Sequence, residues 1–335
     1  MLRVVGGDRD GPVRIALLGF GNVGKAFARL LLRKDQVLRE RYGFDWRVTA
    51  VLSAHHGFGV DDAGLDLETC LSQPSLPEHG LLPTIGALPA DILVEVTPLD
   101  ARSGQPALDH MREALAAGMH VVTANKGPIA HAYRELKALA RSKGRALRFE
   151  ATVADNLPLF NLANAALPAA EIRSVRGIFN STTNYLISQA AAGVPFGVAL
   201  AEAQRLGIAE RDPSNDLQGW DAAVKAVIVN TVLLDGDLKV EDVVRHPLTE
   251  AVAERAREAA AQGRRLRMVT SIEPGSARWE PATLTPDDPL YAVDGFSLGA
   301  DLVTDVAARL SVAVHNPHVE QTAYALLADC VDLEP

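Results

Sequence analysis

From Val13 to about Glu150 the chain alternates short apolar runs with longer stretches whose apolar residues recur at helical spacing, and this rhythm constrains the fold more than any other feature. VRIALL (13–18), RVTAVL (47–52), DILVEV (91–96), MHVVT (119–123) and ALRFE (146–150) are apolar nearly throughout, as strands are when both faces of a sheet are covered. Between them lie NVGKAFARLLLRK, QPALDHMREALAAG and PIAHAYRELKALARSKG, the last two closing on the helix stops Gly118 and Gly144. Strand and helix in alternation predict a parallel, doubly wound sheet with helices on both faces.

Beyond Glu150 the rhythm changes. EIRSVRGIFN (171–180) alternates like a strand, three helical patterns follow, and further strand-like segments occur at 265–273, 277–284 and 310–314 before a final helix near VEQTAYALLADC. The expected organisation is therefore an α/β domain over 1–150, completed by 306–335, with an α+β domain over 151–305. Lys plus Arg number 33 against 42 Asp plus Glu, a net charge of −9, so no excess of cations exists to displace counterions from nucleic acid. Two cysteines, Cys70 and Cys330, form no disulfide framework, which points to a reducing, cytoplasmic setting. Asp8 and Asp10 interrupt any apolar leader, and no run is long enough to span a membrane.

The sharpest motif is Gly19-Phe20-Gly21-Asn22-Val23-Gly24, which follows the first strand and opens the first helix. In a Rossmann-type domain its first glycine allows the tight turn, the second lets the backbone approach a pyrophosphate, and the third permits close packing, while the helix N-terminus presents N–H groups to the phosphates. A dinucleotide cofactor is expected. The end of the second strand, VLSAHHG (51–57), offers Ser53, His55 and His56 and no carboxylate before Asp61, which favours NADP over NAD.

A second motif leads into the apolar helix AVKAVIVNTVLL. Glu210, Asp212, Asp216 and Asp221 precede Lys225, and Asp221 and Lys225 stand four apart, hence on one face. Such a pair is often an ordinary surface ion pair. Beside so apolar a segment it instead predicts a partly buried polar pocket in which a lysine moves a proton. Lys126, in Thr123-Ala124-Asn125-Lys126, follows a parallel strand at the end where ligands bind in this architecture. Only seven lysines occur in the chain, so two in such positions carry weight. His315 and His318 are three apart, without a third ligand in view, and read as a loop.

The stretches GFGNVG, VEVTP, HVVTANKGP, RGIFNSTTNYLI, EAQRLGIAERDP and DLQGWDAAVK, in order from about residue 13 to 235, resemble the homoserine dehydrogenase family in its short form, without a regulatory domain. The resemblance implies NAD(P)-linked interconversion of L-homoserine and L-aspartate 4-semialdehyde, on the route to threonine and methionine, by a homodimer formed through the second domain. It implies Lys225 as the proton-transferring lysine, Asp221 as the acid beside it, and Glu210, Asp216 and Lys126 at the substrate. It places Thr97, Gly207 and Lys126 with GFGNVG at the cofactor. Glu150, Val153, Asp155 and Leu157 fall where the family wraps a monovalent cation, mostly through backbone oxygens. Three departures stand out: Asp155-Asn156 replaces a pair of small residues, Ser181 replaces a glycine, and Val314-His315-Asn316-Pro317-His318 replaces a glycine-rich loop. The alternatives are a dehydrogenase of another small amino or hydroxy acid, and a non-catalytic NAD(P)-binding protein.

Overall fold

The computed structural model describes residues 11–76 and 84–333; the N-terminal stretch with Asp8 and Asp10 lies outside them. Two compact units are present, one of residues up to Asp155 with those from Val319 on, the other of residues 156–318. Among the described residues no helix is long and apolar enough to cross a membrane.

In chain order the first unit contains β1 (Val13–Leu18), α1 (Asn22–Tyr42), β2 (Trp46–Ser53), β3 (Gly57–Val60), α2 (Leu67–Ser72), β4 (Ile92–Glu95), α3 (Ala107–Ala116), β5 (His120–Thr123), α4 (Lys126–Ser142) and β6 (Leu147–Arg148). Its sheet runs β3-β2-β1-β4-β5-β6. All neighbours are parallel except β3, which folds back on β2 with Ser53 opposite Gly57. Sequence periodicity misses β3 because GFGV has a glycine at every second position. Winding runs one way from β1 to β2 and the other way to β4, so a crevice opens at the carboxyl ends of β1 and β4. α1 ends where Gly43 turns left-handed (φ 63°) and its N–H returns to Arg39 and Leu38 carbonyls. The apolar stripe of α1, Phe27, Leu30, Leu31 and Leu38, belongs to the same core as Ala323, Leu326, Leu327 and Cys330 of the C-terminal helix (Val319–Val331). Each large side chain buried there contributes about 1.5–3 kcal/mol.

The second unit contains α5 (Leu159–Ala166), β7 (Ile172–Ile178), α6 (Ser181–Ala191), α7 (Phe196–Arg205), α8 (Ser214–Leu217), α9 (Trp220–Leu233), β8 (Val244–Arg245), α10 (Glu250–Ala261), β9 (Arg265–Glu273), β10 (Ser276–Leu284), β11 (Leu298–Thr304) and β12 (Arg309–Val314). The sheet order is β12-β11-β7-β9-β10-β8, antiparallel except for β8 against β10. Leu266, Met268 and Trp279 on one sheet face form a core with Leu186 and Ile187 of α6, Ala203 of α7, Ala222 of α9 and Ala256 of α10. Pro281 sits opposite Met268, beyond the Arg278–Trp279 stretch to which β8 is paired, so its missing N–H costs no ladder bond on that side.

The domain limits differ from those expected. The first unit runs to Asp155 rather than 150, and regains the chain at Val319 rather than 306, because Arg309–Val314 pairs along β11 in the second sheet. β11 itself escapes the sequence pattern: Asp301 interrupts an apolar run, yet is buried, where Arg309 Nε (2.9 Å) and Ser311 Oγ (2.8 Å) satisfy its carboxylate.

α9 is buried on nearly every side, from Ala222 to Asn230, as expected of a helix that is apolar all round. Its entry is set by Gly219 (φ 78°), against whose Cα the Trp279 ring packs so closely that a Cβ would lie 2.3 Å from it. Gly219→Ala is expected to cost about 3 kcal/mol through strain and overpacking, lowering the thermal midpoint by roughly 5 °C or more in a calorimetric scan.

Candidate active site

In the first unit the glycine turn is built as its spacing predicts. Gly19 (φ 105°) passes under the end of β4, where a Cβ would come within 2.6 Å of the Val96 carbonyl oxygen, and a Cβ on Gly24 would meet the Gly19 carbonyl oxygen at 2.3 Å. At Gly21 a Cβ would meet nothing within 4 Å. Asn22 and Val23 open α1, whose N-terminus has no side-chain cap and no acid in its first turn. Its first N–H groups, its dipole and the open space at Gly21 make a cradle that suits the pyrophosphate of a dinucleotide. Phe20 is buried beneath the turn, edge-on to the His56 ring at 6.5 Å.

Glu95, at the end of β4, is wholly buried. It accepts hydrogen bonds from the Thr97 N–H (2.9 Å), the Thr97 hydroxyl and the Thr123 hydroxyl (3.0 Å). Burial pushes its carboxyl above the usual range, against the pull of these donors. Asn125 joins the network, its Nδ2 donating to the Thr97 carbonyl (3.2 Å) and its Oδ1 capping α4 through the Gly127 N–H (3.2 Å). Thr97 and Lys126, the first residue of α4, are thus held by one set of bonds. At the end of β2, His56 Nδ1 lies 2.9 Å from the Pro74 carbonyl, and β3 carries Asp61 back alongside Thr49, whose carbonyl accepts the Asp61 N–H at 2.9 Å. The nearest downstream acid therefore sits four residues back from Ser53.

The turn after Glu150 keeps the backbone shape that small residues would take. Asp155 adopts φ 52°, a conformation aspartate tolerates, and its carboxylate accepts from the Thr322 hydroxyl (2.7 Å). Glu150 is buried, and its N–H donates to the buried Asp329 carboxylate (2.9 Å). Among the described residues no cluster of three or more His, Cys, Asp or Glu side chains is placed to hold a metal ion, so a cation here would rely on backbone oxygens. Leu157 belongs to the second unit, with its carbonyl accepting the Leu159 N–H (2.8 Å).

In the second unit Lys225 and Asp221 are paired at 2.7 Å with side chains only 12% and 11% exposed. Lys225 Nζ also donates to the Phe179 carbonyl (2.5 Å), so among the described residues protein acceptors engage two of its three hydrogens. Asn180 Nδ2 donates to both Asp216 (2.7 Å) and Asp221 (3.0 Å). Burial, followed by the charge of Asp221, lifts the Asp216 carboxyl above the usual range. Ser181, which replaces the expected glycine, is simply the first residue of α6.

The structure thus gathers Asp216, Asp221 and Lys225. It leaves Glu210 exposed, with its backbone carbonyl held by Gln204 Nε2 (3.2 Å), and turns Asp212 onto the Ser214 N–H and hydroxyl. Gly207 (φ 73°) closes α7 with open space at its Cα. In the altered loop Asn316 (φ 48°) donates its N–H to Ser297 Oγ (3.2 Å), Pro317 is buried, and His318 stacks obliquely on Phe296 at 5.1 Å, while His315 is exposed. Sequence reasoning missed Asn180 and Glu95. The signals were an Asn ahead of Ser-Thr-Thr, a helix-cap pattern, and a lone acid in an apolar strand.

Comparison with known proteins defines the class first: residues 19–150 match the family model "Homoserine dehydrogenase, NAD binding domain", and residues 158–331 match "Homoserine dehydrogenase", so the two halves are those of a nicotinamide-dependent oxidoreductase. The homoserine dehydrogenase of Methanocaldococcus jannaschii is 34% identical over 331 residues, 95% of this chain and 98% of that one. An NAD(+)-dependent homoserine dehydrogenase of Pseudomonas canavaninivorans is 33% identical, over 96% of each chain. A hyperthermophilic archaeal homoserine dehydrogenase, solved in complex with NADPH, superposes with a TM-score of 0.81 at 25% identity, covering 96% of this chain and 97% of its own. The chain belongs to the homoserine dehydrogenase family.

The glycine geometry separates binding from stability. Gly21→Val, with its side chain in the open cradle, is expected to weaken dinucleotide binding tenfold or more, about 1.4 kcal/mol, while leaving the thermal midpoint near wild type. Gly24→Ala is expected to lower the midpoint, because its Cβ meets backbone. Nicotinamide fluorescence titration and thermal melts of both variants check the contrast.

Proposed function

We propose that the chain interconverts L-homoserine and L-aspartate 4-semialdehyde, within threonine and methionine biosynthesis, using NADP in preference to NAD. The observation that carries this reading is the enclosed Lys225–Asp221 pair on an apolar helix, in a chain of this family. When bound, the nicotinamide supplies or takes the hydride. Gly19, Phe20, Gly21, Asn22, Val23, Gly24, Thr97, Lys126 and Gly207 are the residues proposed to hold the cofactor.

Lys225 handles the proton. In the oxidative direction a neutral Lys225 accepts the alcohol proton; in the reductive direction its ammonium donates to the developing alkoxide and steadies the charge. Asp221 and the Phe179 carbonyl take two of its hydrogens and leave the third directed by elimination to the substrate oxygen. Asp216 and Glu210 supply carboxylates for the substrate's ammonium group. Asp216 is the more demanding partner, since an arriving cation offsets the cost of ionising it beside Asp221. Lys126 serves the substrate carboxylate. A monovalent cation at Glu150, Val153, Asp155 and Leu157, a homodimer through the second unit and a cytoplasmic setting complete the reading.

Lys225→Ala is expected to lower kcat by about 10² to 10⁴ with a small change in cofactor affinity. The wild-type protein is expected to oxidise L-homoserine with NADP or NAD. Nicotinamide absorbance with L-homoserine reads both; retention of more than about half the rate by Lys225→Ala would place the proton elsewhere.

The preference for NADP follows from the acid-free end of β2. Ser53→Asp is expected to shift the ratio of kcat/KM for NAD over NADP upward by tenfold or more, about 1.4 kcal/mol, by repelling the 2′-phosphate. A wild-type enzyme that strongly prefers NAD would contradict this part of the reading.

A further inference from the structure

Asn180 uses its whole hydrogen-bonding capacity. A primary amide offers two hydrogens and two acceptor lone pairs. Its Oδ1 accepts from the Thr183 N–H (2.9 Å) and lies 3.1 Å from the Thr183 hydroxyl; its Nδ2 donates to Asp216 Oδ1 (2.7 Å) and Asp221 Oδ2 (3.0 Å). A backbone N–H can only donate, so Thr183 fixes the amide oxygen toward α6 and leaves the NH2 group between the two carboxylates. The residue is 6% exposed. Its neighbour Phe179 accepts from Lys225 Nζ, so two consecutive residues leaving β7 grip both members of the ion pair.

The groups facing this point are Asp216 of α8, Asp221 and Lys225 of α9, and the Thr182 and Thr183 hydroxyls of α6. Two carboxylates converge on one cation. A second cation between them would compete with Lys225 for Asp221, and an acceptor would add repulsion. A neutral double donor satisfies both carboxylates without altering the charge.

We propose that Asn180 is a positioning residue of the reaction: a locked, neutral strut that sets the spacing of Asp216 and Asp221, and through Asp221 the aim of Lys225 Nζ. This rests on the reading that Lys225 moves the proton. Asn180 also caps α6, and that structural duty is separable from the strut.

Asn180→Ser keeps a good cap but is too short to span the carboxylates. It is expected to melt near wild type and to lose about thirtyfold in kcat, with cofactor KM changed less than about twofold. Asn180→Asp keeps cap and size and replaces the donor with a third carboxylate. It is expected to lose at least as much kcat as Asn180→Ser, with cofactor KM again changed less than about twofold, since the double donor between the carboxylates is gone. A kcat within about twofold of wild type in Asn180→Ser would reduce Asn180 to a helix cap and overturn the strut. The ε-carbon NMR resonance of Lys225, assigned by its loss in Lys225→Arg, is expected to move in Asn180→Ser at fixed pH, which reads the placement of Nζ without turnover. An unchanged resonance overturns the strut alone, whereas a wild-type protein inactive on homoserine overturns the functional reading alone.

Discussion

A single ion pair inside an apolar helix governs how the second unit is built. Lys225 and Asp221 sit on α9, whose other faces are alanine, valine and isoleucine in contact with the core. Charges in such surroundings persist only when paired and hydrogen-bonded, because the loss of hydration otherwise outweighs their attraction. The structure meets that demand from elsewhere in the chain: the Phe179 carbonyl binds the cation and the Asn180 amide binds the anion. The path of β7 into α6 is therefore tied to the placement of α9, and Gly219 with Trp279 sets the angle at which α9 arrives.

The first unit solves a related problem with an acid that neutral donors satisfy. Glu95 ends a buried strand, where a carboxylate is costly, yet the Thr97 and Thr123 donors converge on it, and Asn125 ties the same network to the start of α4. Two adjacent parallel strands are thereby joined at their carboxyl ends, at the edge of the crevice where the glycine turn lies. The buried acid organises the rim of this crevice, and the glycines shape its floor.

Much of this was legible in the sequence. The strand and helix rhythm yields β1, β2, β4 and β5 with α1, α3 and α4, because parallel strands buried on both faces need unbroken apolar runs. The glycine spacing yields the cradle, and the i,i+4 spacing yields the Lys225–Asp221 pair. What escaped depends on tertiary context. β3 and β11 carry glycines and a buried aspartate that pattern alone reads as loop, and α10, rich in alanine and charge, has too small an apolar stripe to stand out. The bridging amide of Asn180 joins residues 36 and 41 positions away, a separation no local motif encodes. The altered loop at 314–318 reads as a break in the family pattern. Its contacts with Ser297 and Phe296 replace backbone freedom with side-chain packing inside its own unit.

The second unit is inserted into the first, and this ordering bears on synthesis. The core around α1 includes Ala323, Leu326, Leu327 and Cys330 from the last helix of the chain. During translation the first sheet emerges early, but one wall of its core is absent until the final residues leave the ribosome. Residues 156–318, by contrast, have every strand of their sheet available before that helix is made. The later-emerging unit can complete its fold first, while the dinucleotide-binding half waits with the apolar stripe of α1 uncovered, so truncation near the carboxyl terminus would strike the domain encoded at the beginning of the message.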